Sequence, residues 1–276
     1  MSFRKLSVYA KFINILLLLF FASSLLYISC VSQKKLQIEL QFHGRFLYDR
    51  LGISELPWSV WANSVEGRNI YLLEISEGSP VTVIFGAFHG SEPLSGEFAL
   101  QFAEFLYNEY NNYLDCKVVI IPAVNPDGLV QGKRTNANGV DINRNFPTEN
   151  WTKNYTKKSQ YPGEYPASEP ETQAVIKILE KYQPDKIISI HTPLKMVNYN
   201  GPAKKLAFLI SERNGYPVSH YIGYPTPGLF GTYAGVERNI PTITLELPRE
   251  PLQKVWEENR EALFEAIKYD KNFDNF

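Results

Sequence analysis

Several things are scarce in this sequence, and each scarcity excludes something. Two cysteines, Cys30 and Cys116, are too few for a disulfide framework. A formal charge of −1 leaves no basic excess of the kind that carries nucleic-acid binding. With 17 Gly and 18 Pro, neither residue exceeds ordinary usage, so collagen-like and low-complexity chains are ruled out. No internal repeat is present. No acidic residue occurs before Glu39, and there are only four histidines. What is abundant is aromatic: 17 Phe, 17 Tyr and 4 Trp in 276 residues, far too many for a disordered chain. A chain of this length supports one sizeable core, burying roughly 70–75% of its extended surface.

The acid-free N-terminus has its own pattern. Arg4, Lys5 and Lys11 precede an apolar stretch from Phe12 to Ile28, whose unbroken part is Ile15 to Ala22. A basic start, a short apolar run and small residues before a cut are the marks of an export signal. The run ends Leu26-Tyr27-Ile28-Ser29-Cys30, which resembles a bacterial lipobox, although Tyr27 stands where Leu is usual. The expectation is a signal over residues 1–29, lipidation of Cys30 and one domain over residues 30–276. That places the chain in the bacterial cell envelope, held to the membrane by an N-terminal lipid. The rival reading is an uncleaved membrane anchor, since this run is near the lower limit for a spanning helix. Cys116 lies beside Val118, Val119, Ile120 and Ile121, which predicts a buried thiol rather than a nucleophile.

Further along, apolar runs alternate between strand-like and helix-like periods. Ile70–Glu74, Val81–Ala87, Lys117–Pro122, Lys186–His191 and Ile240–Leu247 read as strands, the second central because it is almost wholly apolar. Ser95–Tyr110 and Leu252–Tyr269 read as helices. Ser168-Glu169-Pro170-Glu171 has the form of a capping box opening a helix through Ile176 and Leu179. Alternation of this kind predicts an α/β sandwich on a largely parallel sheet. The long aromatic, Lys-bearing stretch from Phe146 to Pro166 has no period and reads as a functional rim or a disordered loop.

Candidate chemistry collects at strand ends. His89 and Glu92 follow the Val81–Ala87 strand, three residues apart, and can turn an imidazole and a carboxylate toward one point. His191 ends another buried strand, and strand C-termini of an open α/β sheet share one crevice. Two imidazoles and a carboxylate leave a fourth zinc position for water, as catalytic sites do. The plainer alternatives are a helix-capping turn at Glu92 and two unrelated polar strand ends. In Thr242–Leu247, Glu246 shares a face with Thr242 and Thr244, opposite Ile243, Leu245 and Leu247. A carboxylate there is either salt-bridged to an arginine or used as a general base, since burying it idle costs several kcal/mol.

The stretch from Asn125 to Pro147 holds Asn125-Pro126-Asp127-Gly128, Arg134 and Asp141-Ile142-Asn143-Arg144-Asn145-Phe146-Pro147. Singly these are turn residues; together, with the motifs above, they resemble the zinc carboxypeptidase family, from about Ser64 to Glu246. The resemblance implies a three-layer α/β/α sandwich with a mixed, mostly parallel sheet. It implies one zinc per chain held by His89, Glu92 and His191, with Glu246 as general base and later acid. Arg134 matches the arginine that polarises the scissile carbonyl, Asn143 and Arg144 the pair that holds the substrate's terminal carboxylate, and Asp141 the carboxylate that orients His89. Tyr224 matches a mobile substrate-contacting tyrosine. Ser168–Thr172, His191–Leu194 and Tyr224–Gly228 are similar to the murein peptide amidase branch, which implies a peptide or muropeptide substrate cut at the γ-D-glutamyl–diaminopimelate bond. The alternatives are a zinc amino-acid deacylase of the same superfamily and a wall-binding lipoprotein without turnover.

Overall fold

The computed structural model describes residues 32–223 and 226–270. The chain divides into two compact units, Met1–Glu39 and Leu40–Phe276. Of the first, residues 32–39 are described and are helical. The expected export segment, Cys30 and Tyr224 lie outside the described residues.

The second unit is built on one sheet. Its strands are β1 (Ser59–Asn63), β2 (Asn69–Ile75), β3 (Val81–Phe85), β4 (Lys117–Ile121), β5 (Lys186–His191), β6 (Met196–Asn200), β7 (Val218–Ser219) and β8 (Thr242–Glu246). They lie in the order β1-β2-β4-β3-β5-β8-β6-β7. The central four, β4, β3, β5 and β8, run parallel. Antiparallel pairing appears toward the edges, where β2 meets β4 and β1, and β6 meets β8. The sheet is therefore mixed, with its parallel part in the middle where both faces are covered. The valines and isoleucines of β3, β4 and β5 suit that position, because branched side chains pack well on a pleated surface.

Alternate strand residues feed two cores. Ile84, Val118, Ile120, Ile188, Ile243 and Leu245 face the first. It is covered by α2 (Pro93–Tyr110), α5 (Lys204–Asn214) and α6 (Leu252–Lys268). Helix α6 docks through Val255, Trp256, Asn259, Ala262, Leu263, Ala266 and Ile267, spaced three and four apart as an amphipathic helix requires. Val83, Phe85, Val119, Ile121 and Ile187 face the second core, covered by α4 (Pro170–Tyr182) and by Phe146, Phe230 and Tyr233. A smaller cluster joins Leu47 and Leu51, from α1 (residues 32–53), to Ala87, Leu100 and Leu129. The result is the expected three-layer sandwich. Cys116 is buried at the foot of β4.

One local expectation fails. The helix at Ser168 has Glu169 at its N-cap and no side-chain cap bond. Glu171 turns inward instead, accepting hydrogen bonds from the Val65 N–H (3.2 Å) and the Asn136 side chain (3.0 Å). The capping box is not formed because its carboxylate has a buried partner elsewhere.

Candidate active site

Beyond β3 the chain passes through Gly86, Ala87 and Phe88 to His89. A Cβ at Gly90 would lie 1.8 Å from the backbone carbon of Gly128, so this loop is pressed against the first turn of α3 (Pro126–Gln131) and tolerates no side chain there. Asn125 caps α3 by accepting from the Gly128 N–H (2.8 Å). Its amide also donates to the carbonyls of Phe88 (3.2 Å) and Arg134 (3.4 Å). The Asn-Pro-Asp-Gly run is thus a fastener between the loop carrying His89 and the segment carrying Arg134.

His89, Glu92 and His191 come together with one donor atom from each within 4.8 Å of the others, all three buried. Glu92 divides its carboxylate between the rings: Oε1 lies 2.8 Å from Nδ1 of His89, and Oε2 lies 3.1 Å from Nδ1 of His191. The far nitrogens are engaged too, Nε2 of His89 with Asp141 (3.1 Å) and Nε2 of His191 with Ser189 (3.0 Å). Phe88 stacks on His191 at 5.7 Å and 14°, which fixes the ring plane. In the tautomer that donates each Nε2 proton outward, both Nδ1 lone pairs converge on a carboxylate, an arrangement that a cation among the three would satisfy. Two imidazoles, one carboxylate and outward partners that orient the rings fit a catalytic zinc site. Burial pushes the Glu92 carboxyl up, but the two imidazoles outweigh it and hold it well below the usual carboxylate range.

Around this group the other predicted residues that the structure describes take definite places. Asp141 is fully buried; one oxygen accepts from His89, and the other accepts from Nε of Arg134 at 2.9 Å. Burial alone would raise its ionisation range, yet Arg134 and His89 hold it far down, so it stays an anion. Arg134 continues past it to within 3.7 Å of Glu92. Asn143 and Arg144 sit in a single 3₁₀ turn, Ile142–Arg144, whose backbone is pinned when Asp141 accepts from the Asn143 N–H (3.1 Å). The Asn143 side chain accepts from the Phe230 N–H (3.1 Å), and Arg144 donates to the Asn143 carbonyl (3.0 Å).

Glu246 ends β8 as His191 ends β5, and the two are register partners across the parallel pair. Register partners present side chains on the same face, so the carboxylate stands next to the imidazole. Glu246 is 9% exposed and accepts from the Leu194 N–H at 3.3 Å. Desolvation raises its ionisation range above that of an ordinary glutamate, tempered by His191.

Ser189 escaped the sequence reading. The signal was available, because alternate strand residues share a face and Ser189 stands two before His191. Asn125 was read only as turn chemistry.

Residues 58–214 match the sequence model of zinc carboxypeptidases. The chain belongs to that family. Among zinc carboxypeptidase relatives, murein peptide amidase A of Vibrio campbellii is 36% identical over 163 residues, 55% of this chain and 64% of that protein. The human carboxypeptidase N catalytic chain is 29% identical over 300 residues, 77% of this chain and 66% of that one. The match to the Vibrio amidase thus spans less than two thirds of that relative's length. The crystal structure of murein-tripeptide amidase from Escherichia coli O157 superposes with a TM-score of 0.68 at 27% identity, covering 79% of this chain and 94% of that chain.

Proposed function

We propose that this chain is a zinc-dependent metallocarboxypeptidase that hydrolyses a peptide or isopeptide bond beside a free carboxylate, the γ-D-glutamyl–diaminopimelate bond of peptidoglycan stem peptides being its substrate. The observation that carries this reading is the pairing of Glu246 with His191, beside the buried His89–Glu92–His191 group. A metal centre with a buried carboxylate at its side is the equipment for attacking a carbonyl with water.

His89, Glu92 and His191 would hold one zinc, which when bound supplies an acidified water and polarises the scissile carbonyl. Glu246 takes the proton of the attacking water and returns it to the departing amine; its desolvation suits a group that must hold a proton between the two events. Arg134, held in place by Asp141, presents a fixed positive charge to the carbonyl oxygen as negative charge develops there. Asn143 and Arg144 receive the free carboxylate of the leaving residue, a planar donor set matched to a planar anion. The reading of the substrate is supported by the likeness to the two murein amidases. The zinc-loaded protein incubated with L-alanyl-γ-D-glutamyl-diaminopimelate should release free diaminopimelate, read by mass spectrometry. An intact tripeptide at full zinc occupancy would refute the assignment.

The location we propose is the cell envelope, with the N-terminus lipidated at Cys30. Support comes from the sequence of residues 1–30 alone. Among the described residues no helix is long and apolar enough to cross a membrane. Replacing Cys30 with Ala should abolish incorporation of labelled lipid, and retained label would point to another anchor.

A further inference from the structure

Helix α1 is apolar on two sides, and among the described residues only one of them is covered. Gly44, Leu47 and Leu51 are buried, the two leucines in the cluster with Ala87, Leu100 and Leu129. Phe42, Phe46 and Ile53 are 70%, 55% and 82% exposed. They follow one another by four and seven residues, so at 3.6 residues per turn they fall within about 40° of each other. Gly44, Leu47 and Leu51 occupy the opposite half of the helix surface.

The helix is not free to roll and hide this stripe. A Cβ at Gly44 would lie 2.2 Å from the Leu129 carbonyl oxygen, so the backbones of α1 and α3 meet there. Arg50 donates to Glu104 of α2 at 2.8 Å, and His43 stands 3.6 Å from Glu97. The Tyr48 hydroxyl accepts from the Asn69 N–H at 2.9 Å. None of these fastenings uses Phe42, Phe46 or Ile53. A contiguous apolar stripe left open on a pinned helix marks a contact surface.

Size, sequence and charge favour one occupant. A second copy is poorly served: three such side chains present on the order of 400 Å², about half of the ~800 Å² that each partner buries in a stable dimer. Upstream, the acid-free apolar stretch Phe12–Ile28 ends just before Cys30, and Phe42 follows Cys30 by twelve residues. A bilayer that holds either feature is tethered within about 50 Å of Phe42, however the intervening chain runs. Three side chains grip a bilayer weakly by themselves, but such a tether makes the contact intramolecular. The charges agree. Lys34, Lys35, Arg45 and Arg50 outnumber Glu39 and Asp49 in α1, and the Arg45 side chain, at the border of the stripe, is 73% exposed. A long basic side chain there reaches headgroup phosphates while its aromatic neighbours enter the acyl boundary.

We propose that the outer face of α1, Phe42, Phe46 and Ile53 with Arg45 at their border, lies on an anionic phospholipid surface. The proposal rests on the envelope location given above and holds with either anchor, a lipid on Cys30 or an uncleaved apolar segment. It adds a contact made by the folded unit itself, which an anchor alone would leave swinging on its tether.

The test places photoreactive benzoyl-phenylalanine at residue 46 of the full-length protein, reconstituted into vesicles of phosphatidylethanolamine and phosphatidylglycerol. The control carries it at Phe208 on α5, which is 48% exposed and outside the stripe. On irradiation, residue 46 should give roughly tenfold more phospholipid adduct than residue 208. Phe42→Ser together with Ile53→Ser should cut the adduct several-fold without lowering the melting temperature, since both side chains are exposed. Equal yields at residues 46 and 208 would mean proximity through the tether alone and would overturn the contact. A yield that the serine variants leave unchanged would overturn it too, as would adducts to a second copy in place of lipid. Lipid found on Cys30 with no adduct at residue 46 keeps the anchor and sinks the contact. Adduct at residue 46 with no lipid on Cys30 keeps the contact and sinks the lipidation.

Discussion

Glu246 has little water around it, one backbone donor and an imidazole as its strand neighbour. In Glu246→Gln the shape and most hydrogen bonding remain while the proposed base is removed. Zinc content and folding should survive, and turnover should fall by about 10²–10⁴, the usual worth of a positioned general base. Near wild-type turnover at full zinc occupancy would move the base to another residue. This residue stood out in the sequence because an acid on a buried strand has few uses, and among the described residues the partner of its carboxylate is the Leu194 N–H rather than an arginine. His89, Glu92 and His191 were legible as strand-end chemistry. Ser189 and the fastening role of Asn125 were not, since a serine or a turn asparagine acquires a meaning only from what stands opposite it.

At the scale of elements, the buried central strands were readable because their apolar runs are continuous. The short strands at or next to the edges, β1, β6 and β7, were not, because half-exposed segments of two to five residues carry little pattern. The supposed capping box failed for a tertiary reason: Asn136 donates to both Glu169 (2.7 Å) and Glu171 (3.0 Å), turning the start of α4 into a clasp on the segment that bears Arg134. At the opposite end of the sheet, Lys186 opens β5 in a buried position and donates to the Tyr269 carbonyl at 2.6 Å, just after α6. Burial pushes its ammonium down to about 8 from 10.5. Below pH 8 both folded and unfolded chains carry the proton, and the cost of burying the charge is undiminished. Between about pH 8 and 10.5 the folded chain releases it first, so the unfolded chain binds more protons and this contribution to stability rises with pH. The stability of wild type minus that of Lys186→Met should therefore climb by up to about 3 kcal/mol across the window. Denaturant titrations of both proteins at a series of pH values would show it, and a flat difference would mean that the lysine is not buried as a cation.

At the scale of the molecule, the proposed metal donors come from two distant parts of the chain, the loop after β3 and the end of β5, and only the folded sheet holds them together. Zinc should therefore stabilise the fold by mass action, by about 2.7 kcal/mol at a free concentration a hundred times the dissociation constant. Thermal unfolding should shift upward with zinc and fall back with a chelator, and the shift should vanish in His89→Ala. In Ser189→Ala the zinc concentration needed for the shift should rise by about 10–100-fold, as when the outer partner of a metal-bound imidazole is removed. A zinc-independent melting temperature would refute the donor set.

The strand order has one more consequence. β5 and β6 follow each other in the chain, yet β8 lies between them in the sheet. A polypeptide made from its N-terminus presents His89, Glu92 and His191 first, with a strand-wide slot still open beside His191. The slot closes only when Thr242–Glu246 arrives and enters it, bringing Glu246 into register. A chain that ends before β8 carries His89, Glu92 and His191 but lacks Glu246, the residue proposed as the base. On the proposed reading of Glu246, hydrolytic competence therefore arrives only with β8, late in the chain's own synthesis.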